Sequence, residues 1–127
     1  MSPKDVIRQA LADKADFVSA QLLHARILVA GRRIGLNTVY RVLRELADSG
    51  KVDIIRDPSG GQLYRLRPGP HHSHYLFCRS CGYSVPLESE FVEHWATGAG
   101  QNHGFVNVEH TIELIGVCAE CAEDSRK

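Results

Sequence analysis

Four cysteines constrain this chain more than any other feature. They fall in two pairs of equal spacing, Cys78-Arg79-Ser80-Cys81 and Cys118-Ala119-Glu120-Cys121, and no other cysteine occurs. A CxxC turn sets two thiols on one side of a tight knuckle. Two knuckles supply the tetrahedral sulfur set that Zn²⁺ prefers. Four thiolates leave no open coordination position, so such a centre is structural rather than catalytic. It is expected to staple the start of the rear half to its end. The competing uses are disulfides or a thioredoxin-like dithiol. The twinned pattern is specific for a metal, and a reducing cytosol disfavours disulfides.

At 127 residues the chain holds one ordinary domain or two very small ones. Small domains bury little apolar area, which makes a metal staple physically useful. The opening MSPKDVIRQA carries charges and no apolar stretch, so no signal peptide is expected. No run approaches a membrane span. The expectation is a soluble cytoplasmic protein with no membrane partner. The formal net charge of zero hides a split. Residues 1–67 hold twelve Lys/Arg against seven Asp/Glu, and residues 68–127 hold three against eight. A basic front suits a polyanion, and an acidic, His-bearing rear suits cations, although a solvated face is the default reading of either.

Ile7, Ala10 and Leu11 predict a short amphipathic helix over about residues 4–12. Asp13 to Asp16 interrupt it. Ser19 is a candidate N-cap for a second helix, carried by Leu22, Leu23, Ile27 and Leu28 to about Ala30 and ended by Gly31. The third helix is the clearest: Asn37 is its candidate cap, the helix runs from Thr38 to Ser49, and Gly50 stands at C′. Val39, Val42, Leu43, Leu46 and Ala47 form its core-facing stripe. The opposite face carries Tyr40, Arg41, Arg44 and Glu45. Val52 to Arg56 and Gln62 to Leu66 predict two strands around the turn Asp57-Pro58-Ser59-Gly60-Gly61. Three helices and a hairpin describe a winged helix-turn-helix with its third helix as recognition helix.

Arg67-Pro68-Gly69-Pro70 marks a boundary, because its prolines and glycine favour an extended linker. The expected organisation is an α+β chain: a winged-helix domain over 1–66, a hinge over 67–70, and a small α/β metal-binding domain over 71–127. In the rear, HHSHYLFC is a strand leading into the first knuckle, and Tyr83 to Leu87 pairs back on it. Glu90 to about Gly98 predicts a helix with Phe91, Val92 and Trp95 on one face. Phe105 to Ile115 alternates like a long strand. His72 and His74, two apart on a strand, project from one face and suit one metal ion. Further ligands would come from Glu88, Glu90, Glu93, His94, His103, Glu109, His110 or Glu113, and spacing does not choose among them. The bland reading is a solvated His-bearing linker.

Taken together, these motifs resemble the ferric-uptake-regulator family of metal-dependent repressors, closest to the zinc uptake regulators of actinobacteria. The resemblance is carried by Ser19-Ala20-Gln21 and by Gly35-Leu36-Asn37-Thr38-Val39-Tyr40-Arg41-Val42-Leu43. It extends through the His-rich strand into Cys78-Arg79-Ser80-Cys81-Gly82, then His103-Gly104-Phe105, His110-Thr111-Ile112-Glu113 and Cys118. It covers nearly the whole chain. It implies a homodimer with a dimerising rear domain, a structural four-cysteine zinc, a labile regulatory zinc, and repression through AT-rich palindromic operators in double-stranded DNA. By position, Tyr40 and Arg41 match a base-contacting pair: the ring would lie against a thymine methyl and the guanidinium would donate to a purine edge. Ser19, Asn37 and Thr38 would position phosphates. The competing role for Tyr40 is partial packing under the wing. The resemblance also selects His72, His74, Glu93 and His110 as one regulatory site.

The family pattern places a second regulatory site at Asp53, Arg67, Ser73 and Tyr75, and here three of those four positions have lost a ligand. Metal is not expected there; Arg67 is expected to pair with Asp53 through both guanidinium arms and replace the ion. The chain also begins inside the basic first-helix region of its relatives, with only Lys4 and Arg8 there. Fewer phosphate contacts predict less salt-sensitive DNA binding. Readings kept beside this one are a regulator of the same family sensing iron, nickel or peroxide, a DNA-binding protein with structural zinc alone, and a zinc enzyme. The enzyme is disfavoured: neither knuckle has the preceding proline of a deaminase, and four thiolates leave no place for a reactive water. No small organic substrate is expected.

Overall fold

The structure is a computed structural model that describes residues 1–71 and 73–125. Helices α1 (Pro3–Ala12), α2 (Ala20–Val29) and α3 (Leu36–Asp48) precede the hairpin β1 (Val52–Arg56) and β2 (Gln62–Leu66). Then come β3 (His74–Cys78), β4 (Ser84–Leu87), α4 (Glu90–Asn102), β5 (Glu113–Gly116) and α5 (Ala119–Ser125). The architecture is α+β, and its front is a winged helix-turn-helix.

Local chemistry sets the helix ends. Ser2 and Ser19 accept from the backbone N–H groups of Asp5 and Leu22, which caps α1 and α2. Gly31 and Gly50 follow α2 and α3 with positive φ, as helix-terminating glycines do. The start of α3 differs from expectation. Its N-cap is Gly35, with no side-chain cap bond, and Asn37 sits inside the first turn. Glycine costs little at an N-cap, and the helix begins two residues earlier than expected.

Ile7, Leu11, Leu23, Ile27, Val39, Val42, Leu43, Leu46, Val52 and Tyr64 belong to one continuous buried cluster. On α2 the buried stripe is Ala20, Leu23 and Ile27. Leu22 and Leu28, expected to help carry the apolar face, are about half exposed because that stripe turns them to its flanks. The wing pairs antiparallel from Val52↔Leu66 to Arg56↔Gln62, and Asp57 Oδ1 accepts from Ser59 N in its turn.

The rear sheet has the order β4-β3-β5, with β4 antiparallel and β5 parallel to β3. Two elements here have bounds other than those expected. Helix α4 continues to Asn102 and turns Ala96 and Gly100 inward, leaving Phe91 81% and Trp95 65% exposed. The predicted strand from Phe105 shrinks to Glu113–Gly116. Asn107 adopts φ 56 and Gly104 φ 73, a left-handed backbone that no continuous strand contains. The bend brings Val108 onto α4, where a Cβ on Gly100 would lie 2.7 Å from Val108 Cγ2.

The two halves share a second apolar cluster: Phe17, Ile55 and Leu63 from the front meet Tyr75 and Phe77 of β3. Phe17 stands edge-on to both rings, at centroid distances of 4.9 and 5.8 Å. Beside it, Phe17 N donates to Gly82 O and Ser84 N donates to Ala15 O. Gly82 holds φ 83, and a Cβ there would come within 2.6 Å of Phe17 O. The turn that closes the first knuckle therefore also rests against the front half.

Candidate metal centres and nucleic-acid face

The two knuckles converge. Cys78 ends β3, Cys81 lies in the turn before β4, Cys118 follows β5, and Cys121 is in α5. All four Sγ atoms lie within 4.8 Å of one another, and Cys81 Sγ is 3.8 Å from Cys118 Sγ. Tetrahedral zinc at 2.3 Å from each sulfur requires S···S separations of ~3.8 Å, so the donor set fits that ion. The parallel pairing of β3 with β5 brings the second knuckle to the first. Burial pushes the Cys78 thiol up, but N–H donors, Cys118 N among them at 3.3 Å, outweigh it and lower the thiol to about 6. Hydrogen bonding with Cys118, then burial, pushes Cys121 up to about 12. Four anions cannot share this space without a cation, and a divalent metal resolves the conflict.

A second group lies across β3, α4 and the bent segment. Glu93 Oε1 is 2.8 Å from His74 Nε2, and Glu93 Oε2 is 2.9 Å from His110 Nε2. The imidazole rings are 5.0 Å apart at 37°. Ser89 caps α4 through Val92 N, which places Glu93 in the first turn, facing β3. Bonds from His110 and then His74 hold the Glu93 carboxyl below its ordinary range. His74, Glu93 and His110 are thus brought together, while His72, the fourth expected member, lies outside the described residues. Two imidazoles and a carboxylate suit zinc. Among the described residues, no other group of His, Cys, Asp or Glu converges this way; His94, His103, Glu88, Glu90, Glu109 and Glu113 stand outside both groups.

The third expected cluster holds no such set. Arg67 Nε donates to Asp53 Oδ1 at 2.5 Å, as the ion-pair expectation required, but through one nitrogen. The other oxygen accepts from Tyr75 Oη at 2.6 Å. Burial, then the Asp53 bond, raises the Tyr75 phenol to about 12. Neither the Tyr75 bond nor the neighbouring Arg65 Nε–Ser84 Oγ bond of 2.8 Å was foreseen. The family pattern set Tyr75 at the same site as Asp53, but as a lost ligand; hydropathy marks it simply as a strand residue, and neither indicates the hydroxyl bond to the carboxylate.

On α3, Tyr40 is 41% exposed beside the exposed Arg41 and Arg44. With Gln62, Tyr64 and Ile54 of the wing they line a concavity of about 640 Å³. Asn37 is exposed and Thr38 half-buried at the start of the same helix. Ser19 is half-buried at the N-cap of α2, its oxygen accepting from Leu22 N. Arg41 Nη1 reaches Glu45 Oε1 at 3.0 Å, a pairing that sequence spacing permits but does not require.

A winged helix joined to a four-thiolate centre and a histidine–carboxylate cluster defines a DNA-binding metalloprotein class. Residues 2–115 match the ferric uptake regulator family model, and the chain belongs to that family. It is 46% identical over 106 residues to the zinc uptake regulation protein of Mycobacterium tuberculosis strain H37Rv, covering 84% of this chain and 81% of that protein. Among solved structures it resembles FurB from M. tuberculosis, a zinc uptake regulator, at 43% identity and TM-score 0.54, with 93% of this chain and 91% of that one covered. It also resembles a zinc uptake regulator complexed with zinc and DNA, at 26% identity and TM-score 0.74, over 100% of this chain and 85% of that one.

Proposed function

We propose that this chain is a zinc-responsive transcriptional repressor that binds AT-rich palindromic operators as a homodimer. One observation carries the reading: a single chain holds a separate His74–Glu93–His110 cluster in addition to its four-thiolate centre, behind an exposed, basic and aromatic recognition helix. The zinc uptake regulation relative and the zinc- and DNA-bound neighbour support it. The family is one of transcription regulators, not enzymes.

In this reading residues 1–66 bind DNA, 67–70 form the hinge, and 71–127 bind zinc and dimerise. Cys78, Cys81, Cys118 and Cys121 hold structural zinc. His74, Glu93 and His110, with His72, hold the regulatory ion; bound there, zinc ties β3, α4 and the bent segment together. The Nε2 atoms facing Glu93 must give up any proton to serve as ligands, so acid opposes loading. Tyr40 and Arg41 read base edges while Ser19, Asn37 and Thr38 engage phosphates. Phe91, Trp95, Phe105, Val106 and Leu114, all more than half exposed in one chain, support burial against a second copy. Among the described residues, no helix is long and apolar enough to cross a membrane. We place the protein in the cytoplasm with its DNA.

The test titrates operator DNA with protein across free zinc and repeats it with His110→Ala. Zinc is expected to strengthen binding by at least about tenfold, and His110→Ala is expected to remove most of that gain. Binding that ignores removal of the exchangeable metal leaves a DNA-binding protein with structural zinc alone. A stronger response to iron or nickel reassigns the signal.

A further inference from the structure

Asp53 is buried at the junction of the two halves, and a buried carboxylate needs a counter-charge and its lone pairs filled. Here the chain supplies both. Arg67 Nε takes one oxygen and the Tyr75 hydroxyl takes the other. The three residues come from β1, the segment after β2, and β3, so the contact fastens the wing to the strand that carries His74. Tyr75 is itself fixed. Its ring is buried against Phe17, and the Arg65 guanidinium carbon lies 5.1 Å from its centroid. Arg65 in turn is bonded to Ser84 of β4. Arg67 N donates to Lys51 O, which holds its backbone at the base of the wing.

We propose that Arg67 is a built-in cation: with Tyr75 it bolts Asp53 to β3 and holds the two halves in register without metal, so that zinc regulates this chain through the His74 cluster alone. Three features argue for this. Guanidinium is never a zinc ligand at physiological pH, since it does not deprotonate in proteins. Among the described residues, Asp53 belongs to no convergent group of His, Cys, Asp and Glu. An ion could take the Asp53 oxygens only by displacing both a buried ion pair and a buried hydroxyl bond. Moreover, His74 and Tyr75 are consecutive on β3 and point to opposite faces, one into the sensing cluster and one into the bolt. Any shift of β3 on loading the cluster is delivered to the wing through a single peptide unit.

The inference rests on the regulatory reading above, and its experiment separates the two. The full-length protein keeps its structural zinc and is stripped of exchangeable zinc with a weak chelator. Wild type, Arg67→Gln, Arg67→Lys and Tyr75→Phe are then compared for zinc stoichiometry, solution scattering and operator binding at low and saturating zinc. Wild type is expected to take one exchangeable zinc per chain, and Arg67→Gln the same number. Arg67→Gln is expected to increase the radius of gyration and to weaken binding at low zinc by about tenfold, with a smaller loss at saturating zinc; Arg67→Lys restores part of both. Tyr75→Phe, which removes one hydroxyl and keeps the packed ring, shifts the same readouts less. A second exchangeable zinc in wild type that His110→Ala leaves in place overturns the proposal. So does an Arg67→Gln protein that matches wild type in both scattering and low-zinc binding. If no variant binds operator DNA at any zinc level, the repressor reading fails while stoichiometry and scattering still judge the bolt.

Discussion

The front of this molecule is held by packing and the rear by ligands. Residues from α1, α2, α3 and the wing pool their apolar side chains into one continuous core. Behind the linker, α4 buries Ala96 and Gly100 while its aromatic side chains face outward. The rear sheet has three short strands, and β5 leaves Leu114 and Ile115 exposed. What order it has comes from Tyr75 and Phe77 leaning on the front cluster, from four converging thiols, and from Glu93 bridging two imidazoles. A half whose own core is thin depends on what binds it: a structural ion, a second copy and a signal ion. That dependence suits a sensor, because a ligand shifts an equilibrium only where its binding differs between states.

The contrast is broken most directly by removing the staple. Replacing Cys81 and Cys118 together by serine is expected to release the structural zinc and erase amide protection across β3, β5 and α5. Helices α1 to α3 should remain protected in the same sample. Hydrogen exchange read by mass spectrometry checks this. Equal loss of protection in both halves would show that the front leans on the metal as heavily as the rear. Next in size is a cavity in the front core. Leu43 is fully buried, and Leu43→Ala is expected to cost about 2–5 kcal/mol in denaturant unfolding without lowering zinc content. Trp95→Ala should do the reverse, leaving the unfolding of one chain nearly unchanged while shifting dimer to monomer in analytical ultracentrifugation. A monomer that Trp95→Ala destabilises as strongly as Leu43→Ala does would mean the exposed ring is packed in solution.

The same contrast explains what could be foreseen from residues alone. Stripes on α3 and the strand–turn–strand of the wing are local patterns, and both stand where they were expected. Ligand types at the knuckles were legible because CxxC is a local turn. Tertiary geometry was not. The alternation from Val106 to Leu114 looks like a strand until Asn107 turns left-handed and Val108 comes to lie against Gly100. Periodicity put Phe91 and Trp95 on one helix face, but it cannot say whether that face is covered by the same chain. The Asp53–Arg67 pair followed from ligand loss, but its one-armed geometry and the Tyr75 bond needed the aromatic cluster that seats that ring. Apart from the shifted cap of α3, these misses lie where long-range contacts overrule local preference.

The smallest effect belongs to the surface of the recognition helix, where neither packing nor metal operates. Arg41 and Glu45 pair across one turn of α3, with side chains 61% and 49% exposed. An exposed pair of this spacing contributes about 0.2–0.5 kcal/mol to a helix and is screened by salt. Its consequence for binding runs the other way. In the proposed reading, Glu45 places a carboxylate beside the face that would approach phosphates, and Arg41 would have to leave that carboxylate to donate to a base. Glu45→Ala is therefore expected to tighten operator binding by about two- to fivefold at low salt, with the gain shrinking as salt rises, while unfolding changes by less than about 0.5 kcal/mol. Fluorescence anisotropy over a salt series checks both parts. Weaker binding in Glu45→Ala would mean that Glu45 aims Arg41 at the operator, so that even this exposed face is preorganised by its own side chains.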